Sequence, residues 1–208
     1  MGLFSFRRAP PPPEIREVPL FPLKTVLFPG GILSIKVFEQ RYLDMASACL
    51  RSDECFGICL IASGQEVGTP AEPHPVGTLA RIVDCEVPQL GIMNLRVRGE
   101  ERYRILDCAP DTGHLLRGRV ELLRPPASTP LPETGTRLLP LLQRIVDELG
   151  DERIAPPHRY DDAEWVGYRL TEILPVQNLA KQKLLELDDP LSRLEIIEKF
   201  LAQRGVLG

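Results

Sequence analysis

The chain has no apolar run approaching the roughly 20 residues that a membrane-spanning helix needs, so a helical membrane protein is excluded. Its opening, Met1-Gly-Leu-Phe-Ser-Phe-Arg-Arg8, has an apolar run too short for a secretory signal, and Arg7 and Arg8 follow that run instead of preceding it. Phe6 stands where an N-myristoylation signal wants Ser or Thr. A cytoplasmic location is the expectation. Histidine is scarce: His74, His114 and His158 lie far apart, with no paired spacing. There is no excess of positive charge either, since 25 Lys and Arg face 29 Asp and Glu for a net charge of −4. That balance argues against a surface that coats nucleic acid throughout, while leaving a local basic patch open.

The common motifs of catalysis are also missing. The sequence holds no G-x-x-x-x-G-K-[ST] loop to cradle phosphates, no G-x-S-x-G nucleophile elbow and no H-E-x-x-H zinc helix. Phe28-Pro-Gly-Gly31 lacks the strand, glycine and helix spacing of a dinucleotide site and reads as a turn. The acid pairs Glu100-Glu101, Asp161-Asp162 and Asp188-Asp189 sit beside turns or helix starts, where carboxylates favour N-termini or solvate the surface. Lys181, Lys183 and Ser192 are the residue types of a Ser–Lys dyad, but their surroundings read as an exposed helix face. Five cysteines (Cys49, Cys55, Cys59, Cys85, Cys108) are an odd number scattered through apolar strings, which reads as buried, inert thiols and not a disulfide framework. Cys55 and Cys59 would lie about 13 Å apart along a strand, too far to share one zinc ion. No catalytic residue, metal ligand or cofactor site is expected.

What the sequence does have is proline and alternation. Its 21 prolines are about twice the usual share of about 5%, and their clusters divide the chain. Residues 1–13 end in Pro10-Pro-Pro-Pro13 and read as a mobile, extended tail. Residues 14–124 carry short alternating strings broken by Gly and Pro, the pattern of an antiparallel β domain. In Ile92–Arg98, Met93, Leu95 and Val97 share one face, and Asn94, Arg96 and Arg98 the other. Pro88-Gln-Leu-Gly91 makes the hairpin turn before it, and Arg102–Ile105 and Leu116–Leu122 continue the alternation. One helix interrupts the strands from about Phe38 to Leu50, with Phe38, Tyr42, Met45 and Cys49 on one face. Residues 125–132, Pro-Pro-Ala-Ser-Thr-Pro-Leu-Pro, read as a linker.

From residue 133 to 208 the period is helical. Leu138, Leu142, Ile145 and Leu149 line a first helix that Gly150 ends, with Pro140 tolerated in its opening turns. A second helix begins at Asp161 or Asp162 and runs to the residue before Pro175, and a short third follows Asn178. The fourth has Asp189 as N-cap, Pro190 at the first position, and Leu194, Ile197 and Leu201 as its stripe, ending before Gly205. The class is α+β. Faces this broadly apolar predict that the helical half docks against the β half.

At this point several segments in order carry a family resemblance. Val18–Gly30 resembles the opening strand and turn of the Lon protease N-terminal, substrate-recognising domain family. Phe38–Met45 is similar to the following helix of its small bacterial stand-alone members. Phe56–Ile61 and Glu66–Gly68 resemble the next strand and loop, and Val76–Ile82, Leu95–Gly99 and Arg102–Ile105 the central hairpin and the strand after it. Ile173–Pro175, Lys181–Glu186 and Arg193-Leu194 resemble the helical half, so the likeness covers about residues 15–205. It implies a PUA-like antiparallel β pseudo-barrel with one interrupting helix, followed by a helical bundle. In full-length relatives the ATPase and Ser–Lys protease domains lie beyond this region, so it implies binding without catalysis.

Three function classes follow. The first is a module binding unfolded or extended polypeptide, or a protein partner. Its candidate contact is the hairpin tip, Leu90, Ile92 and Met93, where relatives tend to have Asp-Gly and polar residues; the other reading of these apolar groups is a tip folded back onto its own domain. The second is an RNA-binding module using an arginine-rich sheet face of Arg96, Arg98, Arg102, Arg104, Arg117 and Arg119. Against that reading, the same arginines could pair with Glu100, Glu101, Asp107 and Glu121. The third is an enzyme with a small site that no motif announces.

Overall fold

The computed structural model describes residues 12–124 and 128–206; the expected tail up to Pro11 and linker residues 125–127 lie outside the described residues. Along the chain run β1 (Ile15–Leu23), β2 (Ile32–Val37), α1 (Gln40–Ser52), β3 (Phe56–Ser63), β4 (Glu72–Gln89), β5 (Ile92–Pro110) and β6 (Leu116–Leu123). A short 3-10 turn (Glu133–Leu138) leads into α2 (Leu139–Leu149), α3 (Ala163–Ile173), α4 (Asn178–Glu186) and α5 (Pro190–Gln203). The class is α+β, strands first and helices after.

One strand closes the sheet on itself. β5 holds β4 along most of its length and changes partner on its other side, pairing residues 93–98 with β2 and 102–110 with β6. The ring is therefore β5-β4-β3-β1-β6-β5, and β2 lies outside it as an edge strand. Two details depart from the sequence reading. Pairing is antiparallel except between β1 and β3, which run parallel because the chain crosses over through β2 and α1 before returning. The strings Ile92–Arg98 and Arg102–Ile105 are one bent strand, not two. The bend passes Gly99, whose N–H donates to Gly31 O (2.9 Å) and whose carbonyl accepts from Gly30 N–H (2.7 Å).

Inside the ring, Tyr103 is completely buried among Leu20, Leu79 and Val120, and its hydroxyl donates to Ile58 O at 3.1 Å. α1 covers one mouth, burying Tyr42, Met45 and Cys49 against Phe21, Phe56, Leu95 and Val97. Phe21 and Tyr42 stack with ring centroids 3.9 Å apart. Phe38, expected on that buried face, lies before the helix and is 52% exposed. In α2 the buried stripe is Leu138, Leu142 and Val146; Leu149 is exposed, because the i, i+4, i+8 row is the one that faces α3 and α5. The thiols also differ from expectation. Cys49 and Cys59 are buried, Cys55 and Cys85 half-buried, and Cys108 exposed. Burial pushes Cys49 up to about 11 and Cys59 up to about 12, so neither is a thiolate near neutrality.

The helical half docks on the ring, as its apolar faces require. Phe28 and Val76 of the β half pack with Tyr168 and Leu185, the two aromatic centroids 5.6 Å apart. Around this contact the helices donate to strand-side carbonyls: Arg169 to Pro29 O (2.7 Å) and Gln182 to Val76 O (2.9 Å). The Asn178 side chain donates to Lys24 O. Arg102 reaches the other way, into Leu185 O at 2.7 Å and Leu187 O at 3.2 Å. The described part of the expected linker is itself paired: Leu131 N–H donates to Asp161 O and Ala163 N–H to Thr129 O.

Glu172 sits in this contact, bound by Arg169 at 3.1 Å. Burial pushes its carboxyl up to about 7, against the pull of Arg169, Lys181 and Arg153. A folded-state value raised above the unfolded one gives stability that is full below the unfolded value, near 4.3, and is lost as pH rises through about 7. Unfolding free energy measured at pH 5.5 and pH 8 should thus fall across that window, and Glu172→Gln should flatten the slope. Equal slopes in the two proteins would show that the carboxyl titrates elsewhere.

Candidate functional site

A groove runs along β2, the edge strand. Among the described residues β2 pairs only with β5, so one side of its backbone has no partner strand. Beside that edge is a cleft of about 230 Å³ floored by the stacked Phe21 and Tyr42 with Leu33, Ile35 and Val37, and rimmed by Phe38, Val67 and Lys36. Phe38 and Val67 are 52% and 55% exposed, a large apolar area beside an open edge. Two carboxylates hold the rim in place. Glu39 accepts from Gly68 N–H at 3.3 Å while paired with Arg41 at 3.0 Å, and Glu66 accepts from Lys24 N–H. Both acids are thereby committed to shaping the 64–70 loop.

The hairpin tip lies on the same β2-β5-β4 arm. Gly91 has φ +82°, the left-handed conformation that the turn requires, and Leu90 before it is 100% exposed. Ile92 and Met93 are half-buried, and Met93 packs on the α1 cluster. Of the three expected contact residues only Leu90 is fully open; Val83 and Val87 on β4 are exposed as well.

The six arginines do not share an open face. Arg102 is 3% exposed, its guanidinium used up on Leu185 O, Leu187 O and Asp188. Arg96 is half-buried and donates to Glu152 O at 2.5 Å, and Arg98 is half-buried beside it on β5. Arg117 pairs with Asp111 at 3.2 Å and Arg119 with Asp107 at 2.7 Å. Arg104 is exposed and stands opposite Glu121 in the β5–β6 register. The alternation placed these residues on the polar side of their strands; docking of the helical half covers that side at Arg102 and Arg96. No group of three or more His, Cys, Asp or Glu is placed to hold a metal ion among the described residues. Lys181 is not exposed as expected but half-buried, donating to Glu172 O, and Ser192 donates to Asp189 within the α5 cap.

A second apolar groove, of about 540 Å³, opens in the helical half among Leu174, Val176, Leu184, Ile196 and Phe200. It offers side chains and no free strand edge.

The ring with an outlying edge strand, one capping helix and a docked helical half is also the architecture found in a comparison with known proteins. Residues 17–203 match the model of the ATP-dependent protease La (LON) substrate-binding domain. The chain belongs to that family. A solved Lon N-terminal domain protein from Xanthomonas campestris superposes with a TM-score of 0.74 at 35% identity, covering 88% of this chain and 98% of that one. The N-terminal domain of a Mycobacterium avium complex Lon protease shares the fold, with a TM-score of 0.64 at 20% identity over 90% of this chain and 98% of that one. Lon protease 2 of Myxococcus xanthus is 24% identical over 197 residues, 90% of this chain but 24% of that protein. A LON peptidase N-terminal domain and RING finger protein from Schizosaccharomyces pombe is 24% identical over 220 residues, 89% of this chain and 45% of that protein. The chain therefore spans about a quarter of such a Lon protease. Among the described residues of this LON-family chain, no helix is long and apolar enough to cross a membrane.

Sequence reasoning missed the β2 groove. The alternation in Ile32-Leu-Ser-Ile-Lys-Val37 marks a strand, but an edge strand and an inner strand can carry the same alternation. Phe38 and Val67 are isolated apolar residues in sequence and meet only in the fold.

Proposed function

We propose that this LON-family chain is a non-catalytic binding module that takes an extended polypeptide segment as an added strand on the free edge of β2. The segment's backbone pairs with β2, and its alternate side chains enter the cleft over Phe21 and Tyr42 between Phe38 and Val67. The observation that carries this is the coincidence of an unpaired strand edge with an exposed apolar rim. Unfolded chains present free N–H and C=O groups together with apolar side chains, and a folded surface rarely offers both. The exposed hairpin residues Leu90, Val87 and Val83, on the same arm, would extend the contact. The mainly apolar α4–α5 groove, with Lys183 and Glu186 in its lining, suits an amphipathic helix better than an extended segment.

The test is binding of a permanently unfolded, carboxymethylated polypeptide by fluorescence anisotropy. Phe38→Asp and Val67→Asp place a charge on the rim without touching the core, and each should weaken binding by about tenfold or more, some 1.4 kcal/mol. Ile196→Asp in the α4–α5 groove should leave affinity unchanged. The opposite pattern would move the site to the helical half, and N-methylated peptides that bind as well as unmodified ones would remove the strand-addition mechanism.

A further inference from the structure

A cleft of about 380 Å³ lies between the two halves, distinct in chemistry from the β2 groove. Leu27 and Ile32 from the β half and Leu149, Ile154 and Ile173 from the helical half give it apolar walls, and polar groups supply at least as much of its exposed surface. This accounts for the exposure of Leu149, whose side chain borders the cleft and does not join the bundle core. Three charged groups line it, Arg153, Glu172 and Lys181.

Their pairing is unequal. The Glu172 carboxylate is already taken by Arg169, which is itself almost fully buried and also bound to Pro29 O. Lys181 gives one ammonium hydrogen to the main-chain oxygen of Glu172 at 2.6 Å. An ammonium has three donors, and among the described residues no carboxylate oxygen lies within ion-pair distance of this one. The Arg153 guanidinium likewise has no hydrogen-bond or ion-pair partner among the described residues. Two cations, the half-buried Lys181 and the exposed Arg153, thus line a space whose single acid they share with the buried Arg169. Burial lowers the Lys181 pKa, against the opposing pull of the Glu172 carboxylate.

We propose that this cleft binds a small organic carboxylate with an apolar body, its carboxylate between Lys181 and Arg153 and its hydrocarbon against Ile32, Ile154 and Ile173. With Glu172 held by the buried Arg169, Lys181 and Arg153 leave the lining positive, and a carboxylate answers that charge. Inorganic phosphate would leave the apolar part of the lining uncovered. The volume falls within the usual range of small-molecule pockets, about 300–1,000 Å³. The cleft reaches the start of β2 through Ile32 and Leu33 but not the Phe38–Val67 rim, so Phe38→Asp, which tests the polypeptide reading, should leave octanoate binding unchanged.

The experiment is a titration of the intact chain with octanoate, followed through the methyl resonances of isoleucine and leucine. Saturable shifts are expected at Ile32, Ile154, Ile173 and Leu149, with millimolar or tighter affinity. Octanol, which has the same tail without charge, and inorganic phosphate, which has charge without a tail, should each bind at least about tenfold more weakly. Arg153→Met removes a cation that holds no other group, so it should weaken octanoate by about tenfold with the unfolding temperature unchanged; Lys181→Met should do the same or more. Octanol binding as tightly as octanoate, phosphate binding as tightly as octanoate, shifts elsewhere, no saturable shift, or an unaltered Arg153→Met protein would each overturn the assignment.

Discussion

Replacing Arg102 with Met is expected to lower the unfolding free energy by about 1–3 kcal/mol, the cost of leaving a buried carbonyl without its donor. Arg102 stands on β5 and sends its guanidinium into the α4–α5 connection, where it satisfies Leu185 O at 2.7 Å and Leu187 O at 3.2 Å. Leu187 O also accepts from Arg193, so Leu185 O is the acceptor left unpaired, at about 1–3 kcal/mol. Its bond to Asp188 contributes little, because that side chain is 75% exposed and water replaces the contact. Met keeps the apolar stem, so the loss reports on the head group and not on packing. Urea unfolding measures it, with Arg104→Met as control: that neighbour is exposed and should change stability by no more than about 0.5 kcal/mol. If the two variants unfold alike, the halves are not tied together through Arg102. The same geometry bears on the nucleic-acid alternative. Binding lost on changing Arg102 would reflect undocking of the helical half, so Arg104, Arg117 and Arg119 are the informative positions.

Gly99→Ala should be at least as damaging, by about 2–4 kcal/mol, through overpacking combined with broken backbone hydrogen bonds. A Cβ on residue 99 would collide with the carbonyl oxygen of Phe28, a backbone atom that cannot turn aside. Relief requires β5 to part from the 28–31 turn, and that parting breaks the hydrogen bonds of Gly99 with Gly30 and Gly31. The same turn presents Pro29 O to Arg169, so the damage passes into the docking contact. Gly91→Ala is the comparison: φ there is +82° with nothing within 4 Å of a new Cβ, so only the left-handed strain of about 1–2 kcal/mol applies. Thermal unfolding should therefore rank wild type above Gly91→Ala above Gly99→Ala. A Gly99→Ala protein that melts with the wild type would mean that the bend in β5 has slack the packing does not show.

The helical half was the most legible part of the chain, because its signals are local. Asp162 and Asp189 cap α3 and α5 as their positions before apolar stripes require, and Pro190 starts α5. Gly150 follows α2 with φ +70°. The hairpin turn ending in Gly91 was legible for the same reason: a two-residue connection needs a residue that tolerates positive φ. The candidate sites were far less legible. Leu90 stood out because an apolar residue at a turn is a local anomaly, and the structure leaves it exposed. Ile92 and Met93 beside it are half-buried, since the strand they open packs inward.

The arginines show where the limit lies. Alternation states which side of a strand a residue occupies and nothing about what later covers that side. Arg102 and Arg104 are two residues apart on one strand; one is buried in the docking contact and the other lies open to solvent. The sequence by itself determined the local matters: which segments alternate, which are helical, where caps and turns fall, and that the two halves carry apolar faces that must meet. Only the tertiary structure decided that β1 and β3 run parallel, that β5 bends at Gly99 to close the ring, and that β2 is left as an edge. It also brought Arg153 and Lys181 to one cleft. The physical reason is range. Dihedral preference, capping and periodicity act over a few residues, whereas ring closure, edges and shared pockets depend on contacts between residues far apart in sequence.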